Sequence, residues 1–289
     1  MTPFEFLFPY SMEEALGLLD TDDPGVRPVG GATAVMLMMK AGVLRPTRLV
    51  SLQHVGAQHA RIAVNPAGEL EIGALACLAR IEHDPAVRAG WPMLAQALQG
   101  VANPRVRAVA TLGGNLSHAD PHLDMPPVLA ALGARVVLAS RQGTRTVAAA
   151  DLCTGYYETV IRPGELLVQV IVPPQAGPGA YFKMTTRAAH DWPALGIAVV
   201  LQMQGERVSA ARLYTGAATD RPTALAGAQA VLVAEGLGDA ALARAAEAAA
   251  AEAPVMADAH GSAAYKRQLL RVGLQRAVRN ALRRHGSHA

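Results

Sequence analysis

Two glycine pairs constrain this chain more than any other feature. The first stands in Val29-Gly30-Gly31-Ala32-Thr33, the second in Ala110-Thr111-Leu112-Gly113-Gly114-Asn115-Leu116. Glycine has no Cβ and takes positive φ, so a Gly-Gly step lets the backbone approach another group closely and lets successive N–H groups point one way. Taken alone, either pair reads first as a tight turn. Three features argue for more. The first pair lies between a short apolar run, Val26 to Val29, and a helix-forming body, Ala34 to Lys40, with Thr33 placed to cap that helix. A strand that runs through a glycine loop into a helix N-terminus sets backbone donors and a positive dipole end at an anion. Both pairs carry a hydroxyl neighbour, Thr33 or Thr111, and the second adds Asn115, which donates and accepts. Two such loops can hold the two negative charges of a dinucleotide pyrophosphate without buried lysines, which suits a chain with only 17% charged residues.

The familiar alternatives are missing. There is no Gly-Lys dipeptide for a P-loop, and no G-x-G-x-x-G, G-x-S-x-G or H-E-x-x-H. The net charge is +3 and no basic run is dense enough for nucleic acid. Arg276, Arg279, Arg283 and Arg284 are spaced along a predicted helix as a solvated or partner-facing side. Two distant cysteines, Cys77 and Cys153, exclude an iron–sulfur cluster or structural zinc site built from this chain alone. No disulfide is suggested, no signal-like N-terminus is present, and the longest apolar stretch, Leu195 to Met203, is too short to cross a bilayer. A cytoplasmic protein without a membrane span is the expectation. The 51% hydrophobic content fills a large core and leaves apolar surface for partner subunits.

Along the chain, Ser11 and Glu14 fit a capping box for a helix through Leu19. Val26–Val29, the Ala34–Lys40 helix and Arg48–Leu52 form a small βαβ-like opening. Asn65-Pro66-Ala67-Gly68 and Ser140–Gly143 turn two hairpins, flanked by Arg61–Val64 and Leu70–Ile72, and by Arg135–Ala139 and Thr144–Ala148. Helices are predicted over Leu75–His83 and Pro92–Val101, and after Asp124, whose carboxylate suits an N-cap ahead of Pro126 and Pro127. Leu166–Val172 is a strand stopped by Pro173-Pro174, and Gln175–Gly179 is a Pro/Gly linker and the best domain boundary. Beyond it come strands Ala180–Arg187, Ile197–Gln204 and Val208–Gly216, then helices Ala224–Ala234, Ala240–Glu252 and Ser262–His285.

A cluster of polar residues has two readings. His118-Ala119-Asp120 has the form of an H-x-D iron-ligand pair, completed by a remote His190 or His260. Against this, Pro121 and Asp124 have local tasks in turning and capping the chain, so the reading without metal is preferred. Trp192 is either core or a cover for a flat ring, and few ionisable residues are expected around it. Lys183, on a strand, reads as reaching solvent or an anion, with solvent favoured by the sequence alone.

At these residues the chain resembles the FAD-binding medium subunits of molybdenum hydroxylases, the carbon monoxide dehydrogenase and xanthine dehydrogenase type, over essentially its whole length. The resemblance rests on Pro3-Phe4-Glu5-Phe6, on Val29 to Met36, on Val101-Ala-Asn-Pro-Arg-Val-Arg107 running into Thr111–Asn115, on Ala119-Asp120-Pro121 through Pro126, on Pro163-Gly164-Glu165, and on Tyr181-Phe182-Lys183 with Asp191-Trp192-Pro193. The sequence departs from the common pattern at Ala34 and Arg105.

The resemblance implies an α+β chain. A two-part FAD-binding domain of the vanillyl-alcohol-oxidase (PCMH) kind would occupy residues 1–174, with subdomains of about 1–56 and 57–174, and a small antiparallel sheet with helices would occupy 180–289. Carried over by position, Val29, Gly30, Gly31, Ala32, Thr33, Ala34 and Val35, with Ala110, Thr111, Gly113, Gly114 and Asn115, would hold FAD by its pyrophosphate and ribityl chain. Asp124 would bind a cofactor hydroxyl, Leu167 and Lys183 would lie along the flavin, and Trp192 would approach its ring. No side chain need act as acid or base. The molybdenum cofactor would sit on a large partner subunit and two [2Fe–2S] clusters on a small one, in a dimer of heterotrimers that passes electrons to an external acceptor. A stand-alone flavin oxidase with its own substrate pocket and a non-enzymatic binding module remain as competing readings.

Overall fold

The computed structural model describes residues 3–286, with side chains through residue 283. Met1, Thr2, residues 287–289 and the Arg284 side chain lie outside the described residues. The opening segment forms β1 (Glu5–Leu7), α1 (Met12–Leu19), β2 (Val26–Val29), α2 (Thr33–Lys40) and β3 (Arg48–Ser51). The strands are parallel in the order β1-β3-β2. The βαβ expectation therefore holds, with β1 added on the far side of β3. Ser11 caps α1 by accepting from the Glu14 amide at 3.0 Å, and Glu14 reaches back to the Tyr10 amide at 2.8 Å.

The next segment supplies β4 (Ile62–Val64), β5 (Leu70–Gly73), α3 (Leu78–His83), α4 (Pro85–Gly90), α5 (Pro92–Gln99), α6 (Pro104–Arg107), α7 (Leu112–His118), α8 (Met125–Leu132), β6 (Arg135–Ser140), β7 (Gly143–Ala148), β8 (Cys153–Gly155), β9 (Glu158–Thr159) and β10 (Leu166–Val172). Both expected hairpins form. β10 enters between them, giving the antiparallel order β4-β5-β10-β6-β7. All eight residues of α8 are buried, as expected of a helix that is apolar all round.

The remainder forms β11 (Gly179–Thr185), β12 (Pro193–Gln204), β13 (Arg207–Gly216), β14 (Thr223–Ala224), α9 (Ala226–Glu235), α10 (Asp239–Glu252) and α11 (Ala263–Gly286). The strands are antiparallel in chain order. Alternation along β12 explains its long apolar run. Ala198 and Val200 join the core of the preceding segment, while Ile197, Val199 and Leu201 pack with α9, α10 and α11. Both faces of the strand are covered from Pro193 to Leu201, so no position there carries a polar side chain. The alanines of α10 that face inward, Ala241, Ala245, Ala246 and Ala249, are buried. Among the described residues no helix is long and apolar enough to cross a membrane.

Candidate functional site

β2 delivers the first glycine pair. Val29 is buried, and its carbonyl accepts from the Leu52 amide at 2.8 Å. The chain then leaves the sheet through Gly30 and Gly31, and Ala32 takes the left-handed conformation at φ 54°. Thr33 is not the cap the sequence suggested. It is the first residue of α2, and Ala32 at the N-cap position offers no side-chain acceptor. The amides of Gly31, Ala32, Thr33 and Ala34 consequently donate to no protein acceptor among the described residues. Gly30 to Val35 are all half-exposed. An open row of donors on the positive end of a helix dipole is a site for an anion.

The second pair is built differently. In place of the open loop expected from its glycines, it forms the first turn of a helix. Thr111 is the N-cap of α7, its Oγ1 accepting from the Gly114 amide at 3.1 Å. The Leu112 and Gly113 amides donate to Ala76 and Ala74 carbonyls at 3.0 and 2.8 Å, and the Asn115 amide donates to the Thr111 carbonyl at 2.9 Å. The expected second nest of free amides is therefore absent, because the local cap and the neighbouring 74–76 segment use them. One acceptor is left over: Asn115 Oδ1 is buried and has no hydrogen-bond partner. A buried orphan acceptor costs about 1–3 kcal/mol, so it marks a place where a donor from outside the chain fits.

The two loops touch. A Cβ at Gly30 would meet Thr111 Oγ1 at 2.8 Å, one at Gly31 would overlap the Val109 carbonyl, and one at Gly113 would meet the Ala74 side chain at 2.6 Å. The glycines are thus demanded by loop-on-loop and loop-on-sheet contact. Gly114 differs, since its Cβ would meet only Thr111 Oγ1, at 2.9 Å. Ala110, beside the contact, is buried.

Asp124 stands at the start of α8 but does not cap it, for its backbone is already helical and its side chain turns inward. Oδ1 accepts from Tyr181 Oη at 2.7 Å and Oδ2 from Lys183 Nζ at 2.9 Å. Lys183 also donates to the Gly100 carbonyl at 2.8 Å, so the reading of Lys183 as reaching an anion holds and the solvent reading does not. Burial pushes the Asp124 carboxyl above its ordinary range against these donors, and burial beside Asp124 drives the Tyr181 phenol well up. Sequence reasoning overlooked Tyr181. The two-residue period of β11 puts residues 181 and 183 on one face, and that signal was available. Leu167 is buried in β10.

Trp192, just ahead of β12, is 46% exposed, so it is not core. The expectation of few ionisable groups nearby fails. The His122 ring lies 6.2 Å from Trp192 at an interplanar angle of 20°, and His122 also meets Asp120, Asp258 and His260. Among the described residues no group of three or more His, Cys, Asp or Glu could hold a metal. Asp120 is occupied with His122 and Tyr157.

A glycine loop opening onto an uncapped helix, set against a second helix start that carries an orphaned amide oxygen, is the arrangement of a protein built to take an anionic ligand. The comparisons give the family. Residues 2–175 match the family described as FAD binding domain in molybdopterin dehydrogenase, and residues 180–281 match CO dehydrogenase flavoprotein C-terminal domain. The carbon monoxide dehydrogenase medium chain of Afipia carboxidovorans is 31% identical over 280 residues, 96% of both chains. Among solved structures, quinoline 2-oxidoreductase from Pseudomonas putida 86 has a chain that is 33% identical with a TM-score of 0.91, covering 97% of this chain and 98% of that one. Carbon monoxide dehydrogenase from Hydrogenophaga pseudoflava has one that is 30% identical with a TM-score of 0.93, covering 99% and 100%. The chain belongs to the family of FAD-binding medium subunits of molybdenum hydroxylases. Its architecture is mixed helix and sheet, an FAD-binding domain followed by the C-terminal domain of that family.

Proposed function

We propose that this chain carries FAD as the electron-transfer subunit of a molybdenum hydroxylase complex. The observation that carries the reading is the uncapped amide row of Gly31 to Ala34, in contact with a second loop whose Asn115 Oδ1 lacks a partner. Bound FAD supplies one- and two-electron redox chemistry. The chain's residues hold and shield it. The amides from Gly31 to Ala34 and the α2 dipole would face the pyrophosphate, on a loop whose Val29 and Val35 pack into one apolar cluster behind it. Asn115 accepts from a cofactor hydroxyl, on the platform formed by Ala110, Thr111, Gly113 and Gly114. Asp124, Lys183 and Leu167 shape the wall next to the flavin, and Trp192 covers its ring.

The resemblance to medium chains of multisubunit enzymes supports this reading over a stand-alone oxidase. It also supports electron entry from [2Fe–2S] clusters on a small partner, substrate oxidation at a molybdenum cofactor on a large partner, and exit to an external acceptor. A PCMH-type fold over residues 1–174, split near residue 56, a C-terminal domain over 180–289, a dimer of heterotrimers and a cytoplasmic location complete the proposal.

Absorbance of the purified chain after reconstitution tests it, with about one FAD per chain expected. Asn115→Leu removes the orphan acceptor. The apo-protein should keep or gain stability, while FAD affinity falls about tenfold, the worth of one hydrogen bond to a buried group. A chain that takes up no FAD would sink the reading.

A further inference from the structure

A second polar cluster lies outside the glycine loops, where residues 119–124 cross from α7 to α8. Asp120 Oδ1 accepts from the His122 amide at 2.9 Å and from His122 Nδ1 at 3.0 Å, and its Oδ2 accepts from Tyr157 Oη at 2.7 Å. The other ring nitrogen of His122, Nε2, lies 2.9 Å from Asp258 Oδ2. Asp258 also receives the fully buried Lys266 ammonium, which in turn donates to the Ala217 carbonyl at 3.0 Å. The Ala217 amide donates to the Pro121 carbonyl at 2.9 Å and closes the ring of contacts. Carboxylate oxygens accept only, so both ring nitrogens of His122 must carry protons. A neutral tautomer would set a lone pair against one of the carboxylates. Burial opposes the charged ring, but the hydrogen bonds to Asp120 and Asp258 outweigh it and raise His122 above its ordinary 6.5.

The flat face of this ring meets the Trp192 indole, and His260 closes on it with centroids 5.0 Å apart. The separation and near-parallel planes from His122 to Trp192 fall within the range of an offset stacked pair. No hydrogen bond holds the indole nitrogen among the described residues, whereas the other tryptophan, Trp91, donates to the Pro173 carbonyl at 2.7 Å. Among the described residues Trp192 is hydrogen-bonded through its backbone, by a 2.9 Å bond from its amide to Asp191 Oδ1, and Asp191 is paired with Arg187 at 3.2 Å. Among the described residues, the aromatic ring set near-parallel to the indole is that of His122.

We propose that His122, held at both ring nitrogens by Asp120 and Asp258, is a positioning residue that seats the Trp192 indole as a wall of the flavin site. The placement beside the flavin rests on the FAD reading above, while the seating of Trp192 by His122 does not. Deprotonation of His122 turns one of its two carboxylate contacts repulsive and releases the indole. Because the folded-state value is raised, the stabilisation is complete below the unfolded value of 6.5 and is lost as pH rises through the higher folded value. Asp120, Asp258, Tyr157 and His118, which also face this cluster, are shifted away from the window just above 6.5 in which His122 loses its proton. Asp120 is held below its ordinary value despite burial, by His122 and Tyr157. Burial would raise Asp258, but Lys266 and His122 bring it down to about 2. Burial, with the Asp120 contact, keeps Tyr157 protonated. Burial lowers His118, whose Nε2 is 4.0 Å from Asp120 Oδ2. His260 is left as the one neighbour to be removed by mutation.

The test uses the full chain carrying Trp91→Phe, so that Trp192 is the sole tryptophan, with FAD stripped. A protonated imidazole quenches a stacked indole. Trp192 emission should rise about twofold in a single titration centred above the ordinary imidazole value. His260→Gln should keep that titration, and His122→Gln should abolish it, with emission fixed at the high-pH level. The same titration in His122→Gln, or none in the parent, overturns the seating of Trp192. Should His122→Gln fail to fold, Asp258→Asn serves instead, because losing one carboxylate must lower the midpoint, and an unchanged midpoint overturns the proposal.

The second arm reloads FAD into the chain with both tryptophans intact. His122→Gln and Trp192→Ala should each keep FAD and raise flavin emission by similar factors. Retained FAD with flavin emission and visible circular dichroism unchanged in both variants overturns the placement beside the flavin. If the parent chain binds no FAD while the tryptophan titration persists, the FAD reading fails and the seating of Trp192 by His122 stands.

Discussion

The two glycine loops share a dipeptide and little else. Around Gly30 and Gly31 the chain leaves its amides open, enters α2 through a left-handed alanine and provides no cap. Around Gly113 and Gly114 every amide from Leu112 to Asn115 has a partner, and Thr111 provides the cap. The first loop offers open donors, and the second is the capped, hydrogen-bonded part it is set against. The difference shows that a glycine pair marks close approach without saying what approaches. At Gly31 it is the Val109 carbonyl, and at Gly113 it is Ala74.

The sharpest break of this comparison is Gly31→Ala. Its Cβ would enter the Val109 backbone, so the loops must separate. Retained FAD should be lost, and stability should fall by about 2–3 kcal/mol in a denaturant titration. Gly114→Ala should be nearly silent by the same measurement. It lies inside α7 with only the Thr111 hydroxyl nearby, and a gain of about 1 kcal/mol in helix propensity offsets the disturbed cap. If both variants behave alike, the division of roles is wrong.

A smaller effect separates the two threonines. Thr111→Val removes a cap and should cost about 1 kcal/mol. Thr33→Val removes none and should shift the unfolding midpoint by less than about 0.5 kcal/mol. The smallest effect concerns salt. The first loop offers neutral amides in place of lysine or arginine, so FAD retention should change by less than about threefold between 0.05 and 0.5 M salt, because screening acts mainly on pairs of full charges. A steep decline would point to a charged side chain that carries the pyrophosphate.

The parts of this molecule that could be read from sequence are those whose cause is local. The β2–loop–α2 unit follows from a short apolar run, a glycine pair and good helix formers, and each hairpin follows from its turn residues. The entry of β10 between the hairpins could not be read, because Val170 pairs with Ile72 on one side and Val136 on the other across long separations. α7 was missed because glycines argue against a helix, and only the Thr111 hydroxyl accepting from the Gly114 amide reverses that preference. Asp124 had a good local role as a cap and was drawn away by Tyr181 and Lys183. The same applies to His122. Its spacing from Asp120 was visible and its second partner, Asp258, was not, and Lys266 would have been placed in solvent by any local rule.

The wholly buried α8 has a consequence for how the chain comes apart. Its residues join the core beneath the five-stranded sheet, and it also lies against β12 and β13, where a Cβ on Gly216 would meet Pro127 at 3.0 Å. Ala198 and Val200 of β12 enter that same core. The Pro/Gly segment around residues 175–178 therefore joins two sequence families that share one core, that beneath the five-stranded sheet, while the second family adds a core of its own. A protease cut there should nick the chain without releasing either piece. Heating should give one calorimetric transition, with calorimetric and van't Hoff enthalpies equal, in place of two.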